Sequence, residues 1–265
     1  MSTEQNQSEK AYGRLHRRLF EGKAAVFAIA TTVAISIGGL VEIVPMYTAQ
    51  SLTWERADWV TPYTPLEVAG RDIYIREGCY LCHSQMIRPM RSEMLRYGEW
   101  SRAAEYQYDR PFLLGSRRLG PDLQRVGGKY PDAWHYEHMR DPRSTSPGSI
   151  MPVYPWLHRN KIDPADITAS VRALAKAGTP YEATDEASVA QALQTQGQKI
   201  VDNLSTTGIT AAWDDEIVAL IAYLQRLGVE GKAHLAQQGT SATPGADGQK
   251  AAAAASGSAQ SGGTP

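Results

Sequence analysis

The chain has 265 residues, enough for one sizeable domain or two small ones, and its 27 basic and 28 acidic side chains leave a net charge of −1. Without a basic excess it lacks the electrostatic footprint of a nucleic-acid binder, and no nucleic-acid partner is expected. The hydrophobic fraction of 42% is ordinary in amount but unevenly distributed along the chain.

Residues 1–23 are polar and lean basic, with Arg14, Arg17, Arg18 and Lys23 prominent; they read as a cytoplasmic N-terminal segment. From Ala24 to Val41 every residue is apolar, small or hydroxyl-bearing, Ile43 and Val44 extend the run beyond Glu42, and Pro45 closes it. A helix needs about 20 residues to cross the hydrocarbon core, so residues 24–45 are expected to form a single transmembrane helix in membrane lipid. The run is long for the core of a signal peptide and no small-x-small cleavage site follows it. An uninterrupted soluble core helix of that length would be unusual. Basic residues flank its N-terminal side, while Glu42, Glu55 and Asp58 follow. The positive-inside rule therefore puts the N-terminus in the cytoplasm and everything after about residue 46 outside. Glu42 reads either as a carboxylate at headgroup depth or as a contact with another membrane subunit, and Gly38-Gly39 would let a second helix approach closely.

Beyond the span, residues 46–233 read as one periplasmic domain. A helix is expected over Leu66–Arg76, leading into Gly78-Cys79-Tyr80-Leu81-Cys82-His83. Both cysteines of the chain fall in this window. A disulfide between residues three apart would close too small a loop to add much stability, and a redox pair would explain the thiols but not the histidine. The C-x-x-C-H spacing suits covalent attachment of one haem c. Two thiols a turn apart can each add to a vinyl group on one porphyrin edge, and the next residue presents an imidazole to the iron. Cysteine haem attachment in bacteria occurs on the outer side of the inner membrane, in agreement with the topology.

Of the arginines that follow, Arg88, Arg91, Arg96, Arg117 and Arg118, the first is the preferred partner for the haem propionates, which need donors when partly buried. Next comes Gly120-Pro121-Asp122-Leu123. Class I cytochromes c carry a similar Gly-Pro-x-Leu, and that resemblance implies that the Pro121 carbonyl accepts the proton on the outer nitrogen of His83, fixing the ring. The iron needs a sixth ligand or an open site. Met139, Met151, His135, His138 and His158 are candidates, whereas Met86, Met90 and Met94 stand too near the cysteines in sequence to reach the other ring face. Met151 lies in Ser149-Ile150-Met151-Pro152-Val153-Tyr154-Pro155, a proline-flanked loop that would hold its thioether rigidly, and it is preferred; His135 and His138 fit a structural or interfacial role better.

Helices are expected over Pro164–Ala177 and Asp185–Asn203 by periodicity. A last amphipathic helix over Asp214–Leu227 has acids in its first turn and Gly228 beyond its end. Cytochromes c cross their first and last helices through a glycine and an aromatic on one and Leu-x-x-Tyr on the other. Gly70 with Tyr74, and Leu220 with Tyr223, resemble those pairs, although Tyr74 stands one residue further from the haem cysteines than usual. From about His234 to residue 265 the Ala-, Gly-, Ser- and Gln-rich sequence reads as a disordered tail.

The expected fold is therefore mainly α: one N-terminal transmembrane helix followed by an enlarged class I cytochrome c-like domain. Several segments resemble the mono-haem subunit of cbb3-type cytochrome c oxidases, the C-family of haem–copper oxidases. They are Gly38–Pro45, Tyr74–Pro89, Tyr108-Asp109-Arg110-Pro111-Phe112, Gly120–Leu123 and Met151–Leu157, and the resemblance covers most of residues 10–230. It implies docking beside a catalytic haem–copper subunit, electrons accepted from a di-haem cytochrome c subunit, and delivery to the low-spin haem b. Oxygen reduction and proton pumping would then fall to the partner. The resemblance also implies a calcium ion near that interface, with Ser101 of Tyr97-Gly98-Glu99-Trp100-Ser101 contributing to it.

Overall fold

The computed structural model describes residues 23–48 and 57–239; the expectations for residues 1–22 and 240–265 lie outside them. The chain divides into two compact units, residues 1–55 and 56–265. Among the described residues the structure is helical, with no strand beyond an isolated bridge between Lys161 and Asp215.

In the first unit, helix α1 spans Ala24–Thr48. Its segment Ala24–Pro45 is long and apolar enough to cross a membrane. Large apolar side chains stand in the open all along it: Ile35 is 69% and Val41 71% exposed. Pro45 does not close the helix as the sequence suggests, because it falls inside the final turn. There it removes one backbone hydrogen bond, and its ring crowds the carbonyl four residues back.

The second unit is built on two crossing helices, α2 (Pro65–Arg76) and a late helix, Glu216–Arg226, which is α8 in chain order. Thr64-Pro65-Leu66-Glu67 starts α2 with a reciprocal cap: the Glu67 carboxylate accepts from the Thr64 N–H at 2.8 Å, and Thr64 Oγ1 accepts from the Glu67 N–H at 3.4 Å. Pro65 takes the first turn, where its lack of an N–H is harmless. Helix α8 is buried along its whole length from Glu216 to Leu224, so its apolar residues face neighbours on every side. The crossing depends on Gly70, where a Cβ would lie 2.0 Å from the Ala219 carbonyl oxygen and 2.7 Å from Tyr223 Cβ. Tyr74 and Tyr223 meet at 5.4 Å between ring centroids. The glycine, the aromatic and the Leu-x-x-Tyr pair thus meet as their resemblance implies. Ion pairs tie both ends in antiparallel sense. Arg76 holds Glu216 through two bonds of 2.7 Å, and Arg226 reaches Glu67 at 3.6 Å.

Short helices follow the cysteines: α3 (Arg91–Tyr97), α4 (Asp132–Arg140) and α5 (Pro142–Thr145). Then come α6 (Pro164–Lys176) and α7 (Glu186–Ser205), capped by Asp163, which accepts from the Ala165 N–H, and Asp185, which accepts from the Ser188 N–H, both at 2.9 Å. Both pack against α2. Ser170 donates to Asp72 at 2.8 Å and Thr64 to Gln196 at 2.6 Å. The chain enters and leaves this pair at one place, where the Ile162 N–H donates to the Asp214 carbonyl at 2.8 Å and the Glu216 N–H to that of Asn160 at 3.0 Å. A last helix, α9 (Val229–Gly239), continues past the expected tail boundary at His234. His234 stacks on Trp59 at 4.4 Å, and Glu230 accepts from Thr61 Oγ1 at 2.5 Å; these partners, far away in sequence, hold residues whose composition alone suggests no core.

Candidate functional site: a cleft around the cysteine–histidine motif

At the end of α2, Gly78 adopts φ 70°, a conformation that favours glycine, and turns the chain into a 3₁₀ turn over Cys79–Leu81. The His83 N–H donates back to the Cys79 carbonyl at 2.9 Å, so the motif forms a single turn with both thiols and the imidazole close together. Burial and the nearby Glu77 carboxylate push the Cys79 thiol up to about 12.

Cys79, Cys82 and His83 line a cleft of about 700 Å³, a size suited to a cofactor. The His83 Nδ1 and the Pro121 carbonyl oxygen are 2.8 Å apart; with the proton on Nδ1, the ring donates to the carbonyl and leaves Nε2 as a ligand. Burial lowers the pKa of His83, the Pro121 bond opposing it, and so favours the neutral, ligating form. Gly120 makes the contact possible, since a Cβ there would sit 2.2 Å from His83 Cε1. Asp122 anchors the loop: it accepts from Ser84 Oγ at 2.6 Å, from the Met86 N–H at 2.9 Å and from the Gln124 N–H at 2.9 Å.

Met151 lines the same cleft and packs, partly buried, against the main core. Its loop is tied at both sides: the Met151 N–H donates to Ser149 Oγ at 3.2 Å and the Tyr154 N–H to the Met139 carbonyl at 2.9 Å. Of the other ligand candidates, Met139, His135 and His138 also line the cleft, whereas Met86, Met90, Met94 and His158 do not. His158 Nε2 lies 3.1 Å from the Tyr136 carbonyl instead. His135 and His138 stand on α4. There Tyr130, Trp134 and His138 form a stack with centroids 4.0 and 4.4 Å apart, and His138 Nδ1 lies 2.6 Å from Thr145 Oγ1. Burial, reinforced by His138, lowers the pKa of His135 to about 4.

Arg88 and Ser101 are not among the residues that line the cleft. Arg88 Nε donates to Glu93 at 2.5 Å, and the side chain is 55% exposed. Ser101 exchanges bonds with Ile87, its N–H donating at 2.8 Å and its Oγ accepting at 2.9 Å. Among the described residues no three His, Cys, Asp or Glu side chains converge as a metal site. The cations that do line the cleft, Arg125 and Lys129, were not singled out by the sequence, which offers no local signal for either.

The residues present fit a haem. The space, the neutral imidazole and the glycine cradle agree with one, and two of the lining residues, Tyr74 and His135, carry a buried polar atom, Oη and Nε2, with no hydrogen-bond partner among the described residues. A helical domain with such a cleft has the space and lining that a single haem would need. More narrowly, the chain matches over residues 16–230 the family described as Cytochrome C oxidase, mono-heme subunit/FixO, and it belongs to that family. It is therefore a subunit of a multi-subunit oxidase, and its family implies a haem. No individual curated protein matches it.

Proposed function

We propose that this chain is the membrane-anchored mono-haem c-type cytochrome subunit of a cbb3-type terminal oxidase. It takes electrons from the di-haem cytochrome c subunit and passes them to the low-spin haem b of the catalytic subunit, where oxygen reduction is coupled to proton pumping. Helix α1 anchors it in the bacterial inner membrane, with the N-terminus cytoplasmic and the haem domain periplasmic. The observation that carries this reading is that Cys79, Cys82, His83 and Met151 share one cleft, with His83 already steered by Pro121.

The bound haem supplies reversible one-electron chemistry. The chain's own residues do the rest. Cys79 and Cys82 would hold the porphyrin through thioethers, and His83 would present Nε2 while Pro121 holds its other nitrogen. Met151 offers the thioether that raises the potential of a His-ligated iron. Apolar side chains from α8 and from the turn after Pro121, among them Leu220, Leu224 and Leu123, line the cleft and would pack against the ring.

The test is purification of the full complex from membranes. The chain should stain for haem after denaturation and co-purify with a polytopic subunit containing haem b. Met151→Ala should lose the weak far-red band of a ferric Met-ligated haem and lower the midpoint potential. A chain that carries no covalent haem, or that leaves the membrane as a free monomer under gentle detergent, would sink the proposal.

A further inference from the structure

A haem bound in the cleft brings two carboxylates, and buried carboxylates require donors. The nearby cations offer no donor that is both buried and uncommitted. Arg88 is taken up by Glu93 outside the cleft. Arg125, which does line it, spends its guanidinium on Glu105 and on the Glu99 and Trp100 carbonyls, at 2.7, 3.2 and 3.2 Å. Lys129 is exposed, its ammonium over the Tyr130 ring at 5.3 Å. Of the two lining groups without a partner, Tyr74 belongs to the α2–α8 crossing. The other is His135, 1% exposed, with Nε2 unpartnered among the described residues.

We propose that His135 is a haem-binding residue, its Nε2–H donating a hydrogen bond from the first turn of α4 to a haem propionate.

The surroundings suit that task. The imidazole ring stands edge-on to Trp134 at 5.4 Å and to Tyr130 at 6.1 Å between centroids, so packing fixes where its outer nitrogen points. It sits in a helix anchored at Pro131, whose carbonyl accepts from the His135 N–H at 3.3 Å. Being neutral in this buried setting, it lends a proton to an anion without adding a second buried charge, and so avoids the desolvation cost of a lysine or arginine in its place. A donor at a propionate draws negative charge away from the macrocycle and favours the reduced iron. His135 is therefore a determinant of potential as well as of binding.

This inference rests on the haem reading above, and the experiment separates the two. The full-length chain, assembled with its partner subunits, is first checked for covalent haem; a chain without any defeats the haem reading itself. In the haem-loaded complex, resonance Raman spectra in H2O and D2O read the propionate-bending band, and a redox titration reads the midpoint potential. The wild-type band should move in D2O. His135→Phe keeps a flat ring but no donor, and it should displace that band and lower the potential at unchanged haem content. His135→Gln returns an N–H at nearly the same place and should restore both. A His135→Phe complex whose band and potential superimpose on wild type overturns the proposal. So does a change confined to the far-red methionine band, which would assign the bond to Met151. If His135→Phe does not accumulate, the wild-type spectra still decide, because a band indifferent to D2O rules the hydrogen bond out.

Discussion

Gly120 illustrates how much a missing side chain can do. With a Cβ 2.2 Å from His83 Cε1, Gly120→Val should displace the imidazole from its Pro121 carbonyl and reduce the haem-to-protein ratio several-fold, read from the pyridine haemochrome spectrum of the purified chain. Glu93 sets a dependence on pH. Arg118, donating at 2.8 Å, and Arg88 beside it hold this carboxyl well below the usual carboxylate range. A depressed native pKa means that the pairing stabilises the fold fully above the ordinary value of 4.5 and fades as pH falls below it. Thermal melts should show the wild type losing its margin over Glu93→Gln as the buffer is acidified from pH 6 towards pH 3. The thiols, His83 and Pro121 were legible in the sequence because their chemistry dictates local spacing. That Arg88 turns to Glu93 outside the cleft is not legible, because its choice of partner depends on where α3 brings Glu93. That His135 borders the cleft is not legible, because nothing local says which face of α4 does so.

Among the elements, the crossing of α2 and α8 organises everything else. Its closest contact at Gly70 is with the Ala219 backbone, so neither helix can yield cheaply. Gly70→Val should cost about 1–3 kcal/mol or more by overpacking, seen as a lower melting temperature together with weaker haem retention, since Tyr74, Leu220 and Leu224 all line the cleft. Helices long enough to show a period, α2, α6, α7 and α8, could be read to within a residue or two of their ends. The brief α3, α4 and α5 could not, because four to nine residues hold too few turns for a pattern to stand out. The far part of α9 escaped because His234 stacks on Trp59, and no composition reveals a partner so distant along the chain.

For the whole molecule, the apolar α1 ahead of a polar helical domain predicts how the chain partitions. The full-length protein should stay with membranes through alkaline carbonate washing, and a version beginning after Thr48 should appear in the soluble fraction, both followed by immunoblot. A soluble full-length chain would contradict the anchor. The second consequence concerns α6 and α7. No residue of either borders the cleft, and their stems, Ile162 and Asp214, are hydrogen-bonded neighbours. They form a detachable buttress, a parenthesis in the chain that opens and closes on the same spot. A version with residues 163–213 replaced by a short linker should keep the visible spectrum of the haem while melting earlier, separating the part of the sequence that makes the protein sturdy from the part that makes it coloured.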